Sequence, residues 1–406
     1  MARPLLEVAD IVRQHGAALI QASHASLSRL QHRALRAIQQ CRTAALGGHV
    51  EQCDRCGHPV ISYNSCRNRP CPKCQSLAKA EWLAARQAEL LPVPHFHVVF
   101  TLPERLAPLV LQNARLLYNL LFQATSQTLL RIAADPKHLG ARIGFLAILH
   151  TWGQNLLHHP HLHCVVPGGG LAPDGKCWVG CRPGFFLPVR VLSRLFRGLF
   201  LAGLQQAFDQ GKLQFHGQLQ PLASAAAFAQ WLQDCRQTEW VVYAKPPFGG
   251  PAQVLDYLGR YTHKVALSNH RLLRLQDGQV SFSWKDYRHG HRKKVMTLKA
   301  TDFLRRFLLH ILPEGFVRIR HFGLLANRHR AENLALCRQL LTITDPAPLQ
   351  DPDHPQDWRE RYQQLTGVNL SLCPQCGLGR LVRIQILPTP SYRLRRAAPQ
   401  GCNAPQ

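Results

Sequence analysis

Cys53-Asp-Arg-Cys56 and Cys71-Pro-Lys-Cys74 are two knuckles in residues 41–80, where Cys, Gly, Asn, Pro and Arg displace the aliphatic pattern found on either side. Such a segment buries little apolar surface and needs a metal to hold a fold. Four thiolates at this spacing can close a tetrahedron around zinc, so Cys53, Cys56, Cys71 and Cys74 are the expected ligands. Gly57 directly after Cys56 suits the tight turn of a knuckle. Cys41, His49, His58 and Cys66 share the segment and leave a second ion or another ligand set open, and Cys373-Pro-Gln-Cys376-Gly377 repeats the knuckle far downstream without an obvious partner pair. A disulfide framework is disfavoured: Arg3, Glu7 and Asp10 interrupt any secretory-type apolar run, so the cysteines read as reduced.

Charge points to a polyanionic partner. Lys+Arg 49 against Asp+Glu 23 gives a formal net charge of +26, a field that attracts nucleic acid and releases its counterions on binding. Charge alone does not separate DNA from ribosomes or anionic lipid. With 406 residues and 46% hydrophobic content the chain can bury a sizeable core in two or three domains. The sequence lacks an apolar run of the ~20 residues that a membrane span needs, so a soluble, cytoplasmic, nucleoid-associated protein is expected, with no membrane partner.

The hydrophobic pattern predicts helices over residues 5–40, broken near Gly16 or around Ser23 to Ser28, and a buried strand at His95 to Leu102. Helical segments fill 104–134, 190–210, 224–236, 251–263 and 300–312. Strands are expected at Ile143 to Trp152, His161 to Pro167 and Glu239 to Ala244, and a meander over 270–298 turns at Asp277-Gly278 and His289-Gly290. Strands mixed with helices rather than strictly alternating argue for an α+β fold with a largely antiparallel central sheet flanked by helices, plus a small N-terminal zinc-binding module. The expected divisions are a helical segment 1–40, the zinc module 41–80, a central α+β domain 81–300, a basic helical extension 301–345, and a loosely packed tail 346–406 with one Cys-x-x-Cys.

Histidines 159, 161 and 163 alternate, which on a strand puts them on one face. His161 and His163 can hold a divalent ion that polarises a phosphate oxygen, with Gln154 as third ligand. Imidazole favours Mn over Mg on softness, while abundance favours Mg. His95-Phe96-His97 is a second such string, inside a more continuous apolar run, and reads as a central strand beside the site. Gly170, Gly175 and Lys176 match the spacing of a phosphate-binding loop, but Cys177 stands where Ser or Thr is required and Pro-Asp-Gly reads as a hairpin turn. No ATP site is expected there.

Tyr257 and Tyr261 are four apart on a predicted helix and point from one face. Two such tyrosines in isolation are most often core. Their context changes that. Thr151-Trp152-Gly153-Gln154, His159-Pro160-His161-Leu162-His163, Gly168-Gly169-Gly170 and Tyr257-Leu-Gly-Arg-Tyr261-Thr-His-Lys264 resemble, in order and spacing, the rolling-circle transposases of the insertion-sequence ninety-one family, the two-tyrosine branch of the His-hydrophobic-His (HUH) endonucleases. Asn64 to Cys74 looks like that family's zinc module, and Phe100-Thr-Leu-Pro103, Asp286-Tyr287-Arg288 and Arg318-Ile-Arg320-His321-Phe-Gly323 extend the match over roughly residues 20 to 330. Where this chain has Pro70, the family often has His.

The resemblance implies an HUH-type nuclease fold and a nickase and strand transferase moving a single DNA strand through a 5′-phosphotyrosine, without ATP. His161 and His163 would hold the metal, Mg or Mn, and Tyr257 and Tyr261 would alternate as nucleophiles. Lys264 beside them could stabilise phosphate charge, and Arg288, Arg292, Lys293 and Lys294 could track the backbone. The partner implied is single-stranded DNA at element ends and target, with a homo-oligomer left open. Two other readings stand beside it: a plasmid replication initiator or relaxase with the same chemistry, and a non-catalytic zinc-dependent DNA-binding protein whose tyrosines are structural.

Overall fold

The computed structural model describes residues 5–23, 27–245, 249–250, 253–254, 257, 259, 266–286, 290, 292–342 and 357–390. In chain order its strands are β1 (Gly48–Cys53), β2 (Pro59–Tyr63), β3 (His95–Thr101), β4 (Gly144–Trp152), β5 (His158–Pro167), β6 (Gly169–Leu171) and β7 (Trp178–Gly180). They continue with β8 (Val242–Lys245), β9 (Leu272–Gln276), β10 (Gln279–Asp286), β11 (Arg292–Lys299), β12 (Ile319–Gly323) and β13 (Leu381–Leu387). Every named strand pair is antiparallel, and helices flank the sheets, as the mixed pattern predicts. Among the described residues no helix is long and apolar enough to cross a membrane.

The chain divides into two units, each assembled from separated stretches. The first comprises residues 1–82, 263–308 and 352–406, and the second 83–262 and 309–351. This differs from the continuous 81–300 domain expected from the sequence, because the meander β9–β10–β11 and the helix Ala300–Leu308 join the N-terminal unit.

In that unit the helices Val8–Ala22 and Arg29–Gln40 are separated by residues 23–28, one of the two expected break points. The second helix starts at Ser28 because its hydroxyl accepts from the Gln31 N–H at 3.3 Å while the Gln31 side chain accepts from the Ser28 N–H at 2.8 Å, a reciprocal cap. Its register places Ala34, Leu35 and Ile38 inward. Helix Ala300–Leu308 buries Phe303, Leu304 and Phe307, and Phe303 meets Phe282 of β10 edge-on at 5.7 Å. The first meander turn is Asp277-Gly278, both at positive φ, 51° and 69°, the conformation a tight hairpin demands.

Over its described residues, 357–390, the expected loose tail is ordered and paired. Trp358–Thr366 is helical and β13 pairs along β1, forming a three-stranded sheet in the order β13-β1-β2. Alternating apolar residues in Leu381-Val-Arg-Ile-Gln-Ile-Leu387 give the strand its period, and the partner edge lies more than three hundred residues upstream, out of reach of any local pattern.

The second unit is built on a five-stranded sheet in the order β12-β4-β5-β3-β8. One face is the core. Phe96, Val98 and Phe100 of β3, Phe145, Ala147 and Leu149 of β4, and Leu162, Cys164 and Val166 of β5 are buried in one cluster with the helices Ala114–Ala134 and Val189–Asp209. Burying a side chain of this size contributes about 1.5–3 kcal/mol, so the period-two alternation fixes the register of these strands. All of the Arg318 to Gly323 string but Arg318 forms edge strand β12, where Gly323 has φ +60° and a Cβ would collide with the Ile143 carbonyl. β6 and β7 form a hairpin around Gly175, in line with the rejected phosphate loop.

Candidate active site and metal-binding clusters

Residues directly opposite one another in an antiparallel pair project from the same face. His150 faces His161, Val99 faces His163, and His97 is flanked by Val165 and Lys245. His97, His150, His161, His163 and Lys245 therefore share the face of the sheet opposite the core. Leu162 alternates with the two histidines and turns the other way, into that core.

His150, His161 and His163 each bring one ring nitrogen to a point where these atoms all lie within 4.8 Å of one another. The third imidazole of this group, His150, comes from β4, while the expected ligand Gln154 lies in the turn between β4 and β5. His161 Nδ1 is 2.6 Å from the His159 carbonyl, so Nδ1–H donates there and Nε2 carries the lone pair available to a metal. Burial, then the neighbouring His159, pulls His161 down to about 3. Burial, then His150, His161 and His97, holds His163 well below the ordinary imidazole range. His161 and His163 are therefore neutral near pH 7, the form that ligates a metal. Three imidazoles fit a divalent ion of intermediate softness.

Tyr257 occupies a helical position and reaches the same face. Its hydroxyl lies 2.6 Å from His97 Nε2 and 2.5 Å from His163 Nδ1, and those two nitrogens are 2.8 Å apart. The rings of His97 and His163 stack at 5.1 Å with an interplanar angle of 9°. His97 is drawn down to about 3, chiefly by burial and next by Lys245, so it is a neutral imidazole that can accept a hydrogen bond from the phenol. The His95-Phe96-His97 string thus does more than lie beside the site. Tyr261, Lys264 and Arg288 lie outside the described residues. Arg292, Lys293 and Lys294 are exposed on β11, where Lys294 pairs with Asp286 at 2.7 Å and sits 5.8 Å from the Trp284 ring.

The four knuckle cysteines do not converge. Cys71 and Cys74 join Cys41 and Cys66, while Cys53 and Cys56 join Cys373 and Cys376. The hairpin β1–β2 follows its own edge toward β13 and carries the first knuckle away from the second. In the first group the Sγ atoms of Cys41 and Cys66 lie 3.2 and 3.5 Å from that of Cys74, against an edge of roughly 3.8 Å for a tetrahedron with zinc–sulfur bonds near 2.3 Å. Contacts from the Cys66 thiol, then the Cys71 thiol, lower Cys41 to about 7, toward the thiolate that zinc requires. Lys73, inside that knuckle, is held 2.5 Å from Glu7 and is mostly buried, so it serves the module's packing.

Comparison with known proteins bears on both sites. Residues 11–102 match the family described as "Transposase zinc-binding domain", and residues 144–333 the family described as "Putative transposase". The chain is 61% identical over 386 residues, 95% of its length and 96% of the relative's, to "Putative transposase y4qJ" of Sinorhizobium fredii. It is 31% identical over 317 residues, 76% of its length and 73% of the relative's, to "Transposase for insertion sequence element IS801" of Pseudomonas savastanoi pv. phaseolicola.

The chain belongs to the insertion-sequence ninety-one family of transposases.

Its N-terminal module is accordingly a zinc-binding domain with a cysteine cluster to match. The two matched regions meet in a single sheet of the transposase: β3, with His97, closes the first match, and β4 and β5, with His150, His161 and His163, open the second. No solved structure matches the chain.

Proposed function

We propose that this transposase cuts and rejoins single-stranded DNA with Tyr257 as a nucleophile, through a 5′-phosphotyrosine intermediate of rolling-circle transposition. The observation that carries the reading is the Tyr257 hydroxyl, within hydrogen-bonding distance of His163, which is itself a member of the three-histidine cluster. A phenol has a pKa near 10 and attacks slowly unless its proton is taken. His97 Nε2 at 2.6 Å is positioned to take it. The phenolate oxygen then forms a bond to phosphorus, the bond from phosphorus to the 3′ oxygen breaks, and that oxygen leaves as a hydroxyl. Because the new ester keeps the energy of the old one, a 3′ hydroxyl can reverse the step on another strand without ATP. Tyr261 is the proposed second nucleophile.

His150, His161 and His163 would hold a divalent ion, Mn or Mg, whose chemistry is to polarise a phosphate oxygen. The net charge of +26 supplies attraction for the strand. The opposite face of the sheet is packed into the core, which would supply the positional precision that in-line attack needs.

A covalent-adduct assay tests the proposal: purified transposase, labelled single-stranded DNA carrying its element ends, and Mn²⁺. A denaturant-resistant, metal-dependent adduct that the Tyr257→Phe, Tyr261→Phe double variant cannot form is expected. Adduct formation by that double variant would overturn the nucleophile assignment, and salt-sensitive binding with no adduct in the unaltered protein would favour a DNA-binding role.

A further inference from the structure

Cys373-Pro-Gln-Cys376-Gly377 is absorbed neither by the three-histidine site nor by the matched zinc-binding region, which ends at residue 102. It lies against Cys53-Asp-Arg-Cys56-Gly57. Sγ of Cys53 is 3.7 Å from that of Cys376, and Sγ of Cys56 is 3.7 Å from that of Cys373. A disulfide requires about 2.05 Å, whereas a zinc tetrathiolate with bonds near 2.3 Å has sulfur–sulfur edges of roughly 3.8 Å.

The two knuckles are built alike. Gly57 N–H donates to the Cys53 carbonyl at 3.0 Å, and Gly377 N–H to the Cys373 carbonyl at 2.9 Å. Both glycines are left-handed, at φ 71° and 67°. The Arg55 N–H points at Cys53 Sγ and the Gln375 N–H at Cys373 Sγ, each at 3.4 Å. Amide donors onto sulfur stabilise thiolates and orient them around a metal. The knuckles are also locked together: Asp54 N–H donates to the Arg380 carbonyl at 3.0 Å, and Arg380 N–H to the Asp54 carboxylate at 2.8 Å. A Cβ on Gly379 would collide with Cys53 Sγ, so this approach requires glycine.

We propose that Cys53, Cys56, Cys373 and Cys376 bind a second zinc ion, which fastens the C-terminal segment 357–390 onto the N-terminal module as the missing half of a zinc ribbon. Each knuckle leads into a strand of the shared sheet, β2 from the first and β13 from the second, with β1 between them. Arg359, from the helix preceding the second knuckle, forms an ion pair with buried Glu51 on β1. Zinc binding and the docking of this segment are therefore one event, and the ribbon closes only when the chain is complete through Cys376.

Metal analysis of the full-length protein after exhaustive dialysis tests this directly. Two zinc ions per chain are expected, and one per chain would overturn the proposal. The Cys373→Ser, Cys376→Ser variant should lose one equivalent, keep the other, and become cleavable by protease within 357–390. Retention of both equivalents would also overturn it. If that variant does not fold, alkylation of the unaltered protein decides: Cys56 is exposed, so as a free thiol it would react readily. Protection of Cys56, Cys373 and Cys376 from iodoacetamide, lifted for all three together by a chelator, is expected. Labelling of Cys373 and Cys376 while all zinc stays bound would sink the assignment.

Discussion

The Tyr257 hydroxyl lies 2.6 Å from His97 Nε2, a pairing across 160 residues of chain that joins the helical tyrosine to the strand β3. If His97 takes the phenol proton, its loss removes a general base worth roughly 10²–10⁴-fold in rate. His97→Gln should therefore slow strand cutting by about 10²-fold or more, with DNA affinity unchanged. Single-turnover cutting across pH checks this: the variant should gain rate with rising pH, as hydroxide replaces the missing base. Cutting at the unaltered rate by His97→Gln would show that His163 suffices.

His150 and Gln154 make opposite predictions for the metal. His150 lies within the three-histidine group, and Gln154 in the turn beyond it. His150→Ala should raise the Mn²⁺ concentration for half-maximal cutting at least tenfold, since losing even a residue that only hydrogen-bonds a metal ligand costs about 10–100-fold in affinity. Gln154→Ala should change it less than about threefold, within the ordinary scatter of surface substitutions. Metal titrations of the two variants side by side settle which residue is the third ligand, and the reverse order would assign Gln154.

Why His150 escaped the sequence is a matter of range. His161 and His163 betray their common face by a spacing of two, a period any strand imposes. His150 sits alone in the apolar run Gly-Phe-Leu-Ala-Ile-Leu-His150, and only the β4–β5 register sets it opposite His161. The same limit hid the ribbon: Cys373 and Cys376 were visible as a knuckle, but their partner pair lies 317 residues or more upstream. Local patterns gave the helices around Leu35 and Phe196, the strands β3, β4 and β5, and the Asp277-Gly278 turn. Pairings across hundreds of residues are decided by which surfaces fit, and no short window records them.

His310 offers a pH test away from the proposed chemistry. It is buried, its Nε2 is 3.1 Å from the Leu156 carbonyl and its Nδ1 3.2 Å from the Thr151 hydroxyl, and burial lowers it to about 3. An unfolded histidine titrates near 6.5. Between those values the unfolded chain binds the extra proton, so stability falls as pH drops from about 6.5 toward 3 and is fully retained above 6.5. His95 and His158, each lowered to about 4, act in the same direction. His310→Asn should lower stability at neutral pH yet make the acid loss shallower by about 1.4 kcal/mol per pH unit. Denaturant unfolding at about pH 7 and pH 5 measures both, and an unchanged slope would show that His310 is protonated in the folded protein.

Leu162 tests whether the core face holds the histidine face in place. It is fully buried between His161 and His163 and projects into the cluster with Val98, Phe100 and Leu149. Truncation to Ala leaves a cavity and should cost about 2–5 kcal/mol. The volume-conserving Leu162→Met should cost less than ~1.5 kcal/mol. Thermal unfolding ranks the two, and strand cutting at a temperature where both are folded separates stability from alignment. If the backbone of β5 relaxes into the cavity, Leu162→Ala loses cutting while still folded and Leu162→Met keeps it, because His161 and His163 share that strand. Equal cutting by both variants would mean that cross-strand pairing with β3 and β4 alone aligns the imidazoles.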